Sequence, residues 1–306
     1  MPSNQPGKLR WPRVEMSIFK RLRRRFTPSP VQRYRASGRI PWSDGYMEAR
    51  QQFVAASLSD PSLMAAFARR EALPAGYGLG FDERCVEYPW ALARIPPGPG
   101  RVLDAGSTLN HTAVLDHPLW QDKVLHIVTL APDGLAFWER GISYLYEDLR
   151  DLPLQDNLYD TVVCLSTLEH VGLDNSGYTR QMAHREQRPR DTLLAVDELR
   201  RVLKPGGSLL LTIPYGEPLR LPTQWVFDEG RLAEVVDRFG PTSVEETFYR
   251  YDSGGWQISE QAACHDCAYV PWIMTPAAQR PPAFPVQADG AAAARAVACL
   301  KLVKPA

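Results

Sequence analysis

Short apolar segments alternate with helical patterns along the second half of the chain, and this alternation constrains the fold more than any other feature. Strands are predicted where apolar and β-branched residues concentrate, at residues 101–106, 123–130, 142–147, 159–166, 208–214 and 294–304. Helical patterns over 191–203 and 227–240 flank the fifth of these segments. Because strands that alternate with helices form covered parallel sheets, we predict a doubly wound, mostly parallel α/β sheet with an antiparallel last strand at its edge.

The first predicted strand ends in the sequence RVLDAGSTLN, where an aspartate and a glycine precede two hydroxyl side chains. In an open parallel sheet, ligands bind at the carboxyl ends of the strands. Gly106 has no side chain and lets the main chain approach a ligand, and Asp104 can accept hydrogen bonds from an ammonium group. Asp104 could equally be a turn aspartate at the end of a buried strand.

The N-terminal segment differs from the rest of the chain in charge. Residues 1–40 contain 11 Lys and Arg and one acidic residue, whereas the remainder contains 24 basic and 34 acidic residues. We therefore predict a basic, flexible arm over residues 1–41. Ile18, Leu22 and Phe26 could form one side of a helix at an anionic membrane surface, or the arm could be solvated and disordered. The acidic remainder lacks a nucleic-acid reader motif, so we expect no nucleic-acid partner.

Three helical segments follow, and together they predict a helical cap over residues 42–98. Ser43 or Asp44 is a candidate N-cap for the first helix, and Asp60 for the second. The sequence PPGPG at residues 96–100 then breaks the helical pattern. We place the main α/β domain at residues 99–306, with a polar insertion at 172–190.

Composition indicates a globular cytoplasmic protein rather than a membrane or secreted protein. No apolar run is long enough to span a bilayer, and the basic N-terminus lacks the apolar stretch of a secretory signal. The five cysteines are an odd number that does not suggest a disulfide framework. We expect a cytoplasmic location, with peripheral contact at the inner membrane face. Cys264 and Cys267 have no second pair to complete a zinc site, so no metal is predicted.

Three motifs give the chain a family resemblance. RVLDAGS, then EDLRDLPLQDNLYDTVVCLSTLEHV (147–171), then DELRRVLKPGGSLLLTIP (197–214) resemble the class I S-adenosylmethionine-dependent methyltransferases, in particular those that methylate small molecules, lipids and sugars. The resemblance covers roughly residues 82–250 and the last strand. It implies a Rossmann-like sheet of seven strands, S-adenosylmethionine as the cofactor, and a methyltransferase activity.

The resemblance also implies which residues contact the cofactor. These residues follow the first four predicted strands: Asp104, Ala105, Gly106, Ser107, Thr129, Asp148, Leu149 and Ser166. Asp148 would bind the adenine amino group, with Leu152 and Pro153 as pocket walls. Two positions depart from the family: no further glycines follow Gly106, and Thr129 replaces the acid that normally binds the ribose hydroxyls, unless Asp133 substitutes for it.

The segment STLEHVGLDN after the fourth predicted strand is where an acceptor would bind. A hydroxyl acceptor needs a base, and His170 titrates in the right range, with Glu169 as an orienting group or polar wall. Both residues could also be structural, and His111 and Asp174 are further candidates. The insertion 172–190 is either a surface loop or a lid whose arginines bind an anionic group. These residues predict O-methylation of a small molecule, a saccharide or a lipid-linked glycan.

Two other functions stay open from the sequence. An NAD(P)-dependent oxidoreductase uses a similar sheet, but this chain lacks the G-x-G-x-x-G spacing and an acid at the end of the second strand. A catalytically inactive, methyltransferase-like binding subunit would explain the departures at Ser107 and Thr129.

Overall fold

A computed structural model describes residues 28–132, 134–271 and 283–306. In this part of the chain the α-helices are α1 Pro30–Ala36, α2 Tyr46–Ser59, α3 Pro61–Arg69, α4 Arg84–Leu92, α5 Thr112–Leu115, α6 Ser176–Thr179, α7 Thr192–Val202 and α8 Glu229–Phe239. The strands are β1 Gly100–Ala105, β2 Lys123–Thr129, β3 Ser143–Tyr146, β4 Tyr159–Leu165, β5 Leu203–Pro214, β6 Leu219–Arg220, β7 Trp225–Val226, β8 Ser243–Asp252, β9 Gly255–Ser259 and β10 Ala296–Val303.

Eight of these strands form one sheet in the order β3-β2-β1-β4-β5-β10-β8-β9. The strands β1 to β5 pair in parallel, which confirms the predicted doubly wound α/β class. The sequence predicted that the antiparallel last strand, β10, lies at the edge of the sheet, and this prediction is wrong. It pairs with β5 on one side and β8 on the other.

The interior position of β10 has a physical basis in its side chains. Seven residues, Val297–Val303, pair with both neighbouring strands, and nearly all of the strand is buried on both faces. Buried strands carry continuous apolar runs, as AVACLKLV does, because helices cover both sides of the sheet. The hairpin β8–β9 then adds an eighth strand beyond the seven that the family resemblance implied.

The pleat of each strand divides the core into two layers. Val102 and Leu210 face the layer that contains the cap helices, whereas Leu103 and Leu211 face the layer that contains α7 and α8. Successive residues of a strand point to opposite faces, so each strand contributes to both layers. The helices of the predicted cap therefore pack on one face of the sheet, and Trp90 of α4 is fully buried in that layer.

The starts of the cap helices agree only in part with the sequence. Asp60 caps α3 as predicted, and its Oδ1 accepts from Ser62 N at 2.9 Å and Leu63 N at 3.2 Å. Neither predicted residue caps α2, whose N-cap is Gly45 at φ 85° with no side-chain hydrogen bond. Asp44 instead pairs with Arg33 of α1.

The helix α1 lies inside the segment that the sequence assigned to the basic arm. Tyr34 of α1 is buried and its ring stacks on Phe81 with centroids 5.8 Å apart. A packed helix therefore begins at Pro30 rather than beyond residue 41. The amphipathic segment Ser17–Phe26 and Asp133 both lie outside the described residues.

The insertion 172–190 contains short turns of helix rather than an extended loop, with α6 followed by 3-10 turns at Met182–His184 and Pro189–Asp191. Asp174 N donates to Pro222 O, between β6 and β7, at 3.0 Å, and Arg188 N donates to Gly172 O within the insertion at 2.6 Å. In residues 28–132, 134–271 and 283–306 no helix is long and apolar enough to cross a membrane.

Candidate functional site

The loop after β1 turns sharply at the carboxyl edge of the sheet. Gly106 and Ser107 both have positive φ, 126° and 61°, and the loop folds back onto Asp104. The Asp104 carboxylate accepts from Leu109 N at 2.8 Å and from Thr108 N at 3.2 Å. Burial raises the pKa of Asp104 to about 7, although these hydrogen bonds oppose the shift. Asp104 thus lies at the predicted edge and forms the turn itself.

Gly106 is required by a contact within the chain. A Cβ atom at this position would lie 2.1 Å from Oγ1 of Thr167, in the turn that follows β4. Ala105 precedes it as the last, fully buried residue of β1. The bare backbone of Gly106 therefore lets the β1 and β4 loops pack directly against each other.

The residues predicted at the ends of β2 and β3 also lie at this edge. Thr129 is buried, and its carbonyl accepts from Glu147 N at 3.0 Å. Asp148 is only partly buried, and Arg150 binds it at 2.6 Å. Burial opposes ionisation of Asp148, but hydrogen bonds from Arg150 outweigh it and lower the pKa. Leu149 is buried beside them.

Arg150 connects the end of β3 to the insertion. Besides Asp148, its guanidinium binds Glu186 at 2.7 Å and Asp191 at 2.8 Å. Its side chain is mostly buried, which makes this network stronger than exposed ion pairs. The insertion is therefore held next to the residue predicted to bind adenine.

Ser166, at the end of β4, faces the cap. It has a φ of 37°, in the left-handed region where a non-glycine residue is strained. Its Oγ donates to Glu87 Oε1 at 2.5 Å, and Thr212 Oγ1 donates to the same oxygen at 2.5 Å. Glu87 lies on α4 and is fully buried.

Glu87 belongs to a group of charged residues between the cap and the strand ends, which we call the cap cluster. Its members are Arg50, Asp82, Glu83, Arg84, Glu87 and Glu169. Arg50 pairs with Asp82, and Arg84 Nη1 binds Glu87 Oε2 at 2.6 Å. The cluster contains four carboxyl groups and two guanidinium groups, and in the described part of the chain Glu83 and Glu169 form no ion pair with an arginine.

The predicted base and its neighbour adjoin this cluster. His170 Nδ1 lies 2.6 Å from Thr223 O, so it donates there and leaves the Nε2 lone pair available. Nε2 is 3.9 Å from Glu169 Oε1. Burial lowers the pKa of His170, which keeps the imidazole neutral and able to accept a proton. Burial raises the pKa of Glu169 well above its usual value.

The other candidate residues have different surroundings. The His111 ring lies 6.3 Å from the Tyr88 ring, beside the β1 loop. Asp174 accepts from Ser176 N and Oγ at 3.0 and 2.5 Å, which makes it a turn residue of the insertion. Among the described residues no group of three or more metal-ligating side chains is found, and Cys264 and Cys267 are buried thiols.

Sequence reasoning missed the contribution of α4. Arg84 and Glu87 come from the segment FDERCVEYPW, in which charged residues alternate with side chains typical of a core. Glu83, at the start of α4, is also buried. Charged groups so close to Val86 and Trp90 could have signalled a buried polar site, because charged side chains are rarely buried without partners.

Comparisons with known proteins show what this chain is similar to. A family model described as a methyltransferase domain matches residues 127–211, from β2 to β5. No curated protein matches the chain significantly. Among solved structures, 1,6-didemethyltoxoflavin-N1-methyltransferase of Burkholderia thailandensis, with bound 1,6-didemethyltoxoflavin and S-adenosylhomocysteine, is 14% identical, with a TM-score of 0.40 over 68% of this chain and 72% of that one.

Two further structures show similar levels of likeness. A SAM-dependent methyltransferase of Methanosarcina mazei is 12% identical, with a TM-score of 0.39 over 69% of this chain and 94% of that one. The [4+2]-cyclase SpnF is 20% identical, with a TM-score of 0.43 over 68% and 76% of the two chains. The segment from β2 to β5 is therefore similar to a methyltransferase domain.

Proposed function

We propose that the protein is an S-adenosylmethionine-dependent methyltransferase that methylates a hydroxyl group of a small molecule or saccharide, with lipid-linked glycans included. One observation carries this proposal. The methyltransferase-domain match covers β2 to β5, and the polar residues predicted for cofactor and acceptor lie together at the carboxyl edge of those strands. In parallel sheets of this kind, that edge is where ligands bind.

The residues at the edge fit the parts of S-adenosylmethionine. The β1 loop at Asp104 would bind the amino acid end of the cofactor. The guanidinium of Arg84 is close enough to lower the pKa of Asp104, and it would bind the carboxylate of the cofactor. Thr129 offers one hydroxyl to the ribose. Leu149 and Asp148 would meet the adenine ring and its amino group. When bound, the sulfonium supplies an electrophilic methyl group.

The groups of the chain provide the remaining chemistry. His170 Nε2 carries the lone pair that would take the proton of an acceptor hydroxyl, since Nδ1 is committed to Thr223 O. Glu169 lies 3.9 Å from Nε2 and would stabilise the imidazolium that forms. Holding donor and acceptor in line accounts for most of the rate enhancement expected of such a site.

Calorimetric titration tests the cofactor assignment. Wild type should bind S-adenosylhomocysteine and not NAD. Asp148→Ala should weaken binding of S-adenosylhomocysteine about tenfold, because a charge-assisted hydrogen bond to adenine is lost. Asp151→Ala is the matched control, since Asp151 is exposed three residues further on, and it should bind as wild type does. Binding of NAD without binding of S-adenosylhomocysteine would indicate an NAD(P)-dependent oxidoreductase instead.

A second candidate function is a catalytically inactive binding subunit. It is favoured by the engagement of Asp104 with its own loop and of Asp148 with Arg150. That candidate predicts no heat with S-adenosylhomocysteine in wild type or variants. Transfer of label from S-adenosylmethionine to a small molecule of the source cells would exclude it. Equal labelling by wild type and His170→Ala would remove His170 from the mechanism.

Membrane contact through residues 1–41 is also a proposal, supported by their basic charge and by the apolar side of the segment Ser17–Phe26. The full chain should sediment with vesicles that contain anionic lipid and stay in solution with zwitterionic vesicles. Replacing Arg23, Arg24 and Arg25 by Gln should abolish sedimentation. Equal sedimentation with both vesicle types would contradict an electrostatic contact.

A further inference from the structure

The cap cluster contains more negative groups than its arginines neutralise. Asp82 and Glu87 each have an arginine partner. Glu83 accepts only backbone hydrogen bonds among the described residues, from Ala294 N at 3.4 Å and from its own amide. Oε1 of Glu169 lies 3.9 Å from His170 Nε2, and Glu169 Oε2 is buried without a hydrogen-bond partner in the part of the chain that the structure describes. Two buried carboxylates are therefore available for a positively charged group.

An uncharged side chain in the same place is also unsatisfied. The hydroxyl of Tyr88 is buried and has no hydrogen-bond partner among residues 28–132, 134–271 and 283–306, and its ring lies 6.0 Å from the guanidinium of Arg84. A buried hydroxyl without a hydrogen-bond partner destabilises a fold, because it has lost its hydrogen bonds to water. Such a cost is expected where a ligand supplies the missing partner.

The two free carboxylates lie on the acceptor side of the site. Tyr269, in the segment that follows β9, has a buried phenol whose pKa is raised first by burial and further by the nearby Glu83 and Glu169. Gln224, just before β7, forms a hydrogen bond with this phenol. Val270, next to Tyr269, donates its N–H to Ala293 O just before β10, and β7 contacts β5, whereas the adenosine would bind at the ends of β2 and β3. Arg84 is close to both sides, because its positive charge opposes the rise in pKa of both Asp104 and Glu169.

We propose that Glu83 and Glu169 bind an ammonium group of the acceptor, so that the substrate is a cationic amino compound, such as an amino sugar, whose hydroxyl is presented to His170. This inference rests on the proposed function and names the substrate class of the same site. An ammonium has three donors, enough for both carboxylates and the Tyr88 hydroxyl. Burial raises the pKa of both glutamates, and a bound cation would reverse that effect.

Matched pairs of probes test this proposal in protein saturated with S-adenosylhomocysteine. The pairs are glucosamine with glucose, benzylamine with benzyl alcohol, and cyclohexylamine with cyclohexanol. Thermal unfolding at about pH 7, where the ammonium groups of the three amines are mostly protonated, reports binding. At least one amine should raise the unfolding temperature of wild type more than its alcohol does.

Variants show whether the carboxylates are responsible. Glu169→Gln and Glu83→Gln should each weaken binding of that amine at least about tenfold, because a charge-assisted hydrogen bond is lost. Glu234→Gln, an exposed residue of α8, is the matched control and should bind as wild type does. The proposal is overturned if no amine exceeds its alcohol, or if Glu169→Gln binds the amine unchanged.

Failure of this inference is distinguishable from failure of the proposed function. Binding of S-adenosylhomocysteine is measured first, without probes, and its absence would refute the cofactor assignment alone. Unaltered S-adenosylhomocysteine binding by Glu169→Gln and Glu83→Gln, with loss of the amine, supports the inference. Loss of both ligands in the two variants would assign these carboxylates to the cofactor and overturn it.

Discussion

The two halves of the binding edge differ in how their carboxylates are satisfied. On the β1–β3 side, Asp104 accepts from the amides of its own loop and Asp148 is held by Arg150. On the β4–β5 side, Glu169 is buried with an unpartnered oxygen beside a neutral His170. The first half is organised by the chain itself, whereas the second contains a buried carboxyl oxygen without a hydrogen-bond partner among the described residues. A buried polar group without a partner is costly, so this difference indicates where a ligand would complete the structure.

The largest expected effect comes from removing the cation that joins the two halves. Arg84→Met would leave Glu87, whose side chain is fully buried, without its ion-pair partner. Breaking a buried pair costs about 3–5 kcal/mol of unfolding free energy, measurable by urea denaturation. Arg69→Met, which breaks an exposed pair with Glu71, should cost less than about 1 kcal/mol. Similar losses in both variants would contradict the buried role of Arg84.

The pH dependence of stability sharpens the comparison on the cofactor side. The pKa of Asp104 is raised from 3.8 to about 7 by burial, so the folded state holds a proton that the unfolded chain has lost. Stability from this group is therefore lost as pH rises from about 4 to about 7, by about 4 kcal/mol in all. Asp104→Asn should lack this loss. If the free energy of unfolding changed with pH in the same way in wild type and Asp104→Asn, the raised pKa of Asp104 would be contradicted.

The contact between the two halves is tested at Gly106. Gly106→Ala combines positive φ with a Cβ 2.1 Å from Thr167 Oγ1, and it should destabilise by at least about 2 kcal/mol. Thr167→Gly in the same chain should recover part of that loss. Gly177→Ala is the control, because no atom lies within 4 Å of its added Cβ. An equal effect of Ala at both glycines would contradict direct packing of the two loops.

The smallest expected effect concerns the unpartnered glutamate. Burial raises the pKa of Glu169 well above its usual value, so Glu169→Gln replaces a carboxyl group that burial disfavours as an anion and should change the unfolding free energy by less than about 1 kcal/mol. Glu87→Gln removes a carboxylate that is paired with Arg84, and it should lower stability by more. Denaturation of the two variants side by side compares them. Destabilisation by Glu169→Gln would show that its carboxylate is satisfied in the free protein.

The sequence predicted the parts of the fold that depend on local patterns. Alternating apolar segments predicted β1 to β5 and their ligand-binding edge, and Asp60 was a correct cap because capping involves only neighbouring residues. The interior position of β10 was missed, since strand order depends on pairing between distant segments. The short α1 was missed as well, because it is stabilised by packing of Tyr34 against Phe81.

The same division applies to the candidate site. Motif positions predicted that Asp104, Asp148, Ser166 and His170 follow the strands of one edge. Their partners were not predictable, because Arg150, Glu87 and Thr223 come close only in the folded chain. Helical periodicity also does not reveal that Arg84 and Glu87 face strand ends rather than solvent. The roles of the predicted cofactor and catalytic residues stay predictions.

A crystal structure of the protein grown with S-adenosylhomocysteine and glucosamine tests the central claim most directly. The account predicts the nucleoside over the ends of β1 to β3, near Asp104 and Asp148, and the ammonium group within hydrogen-bond distance of Glu83 and Glu169. An edge without the nucleoside, or an amine that binds away from these two glutamates, would contradict it.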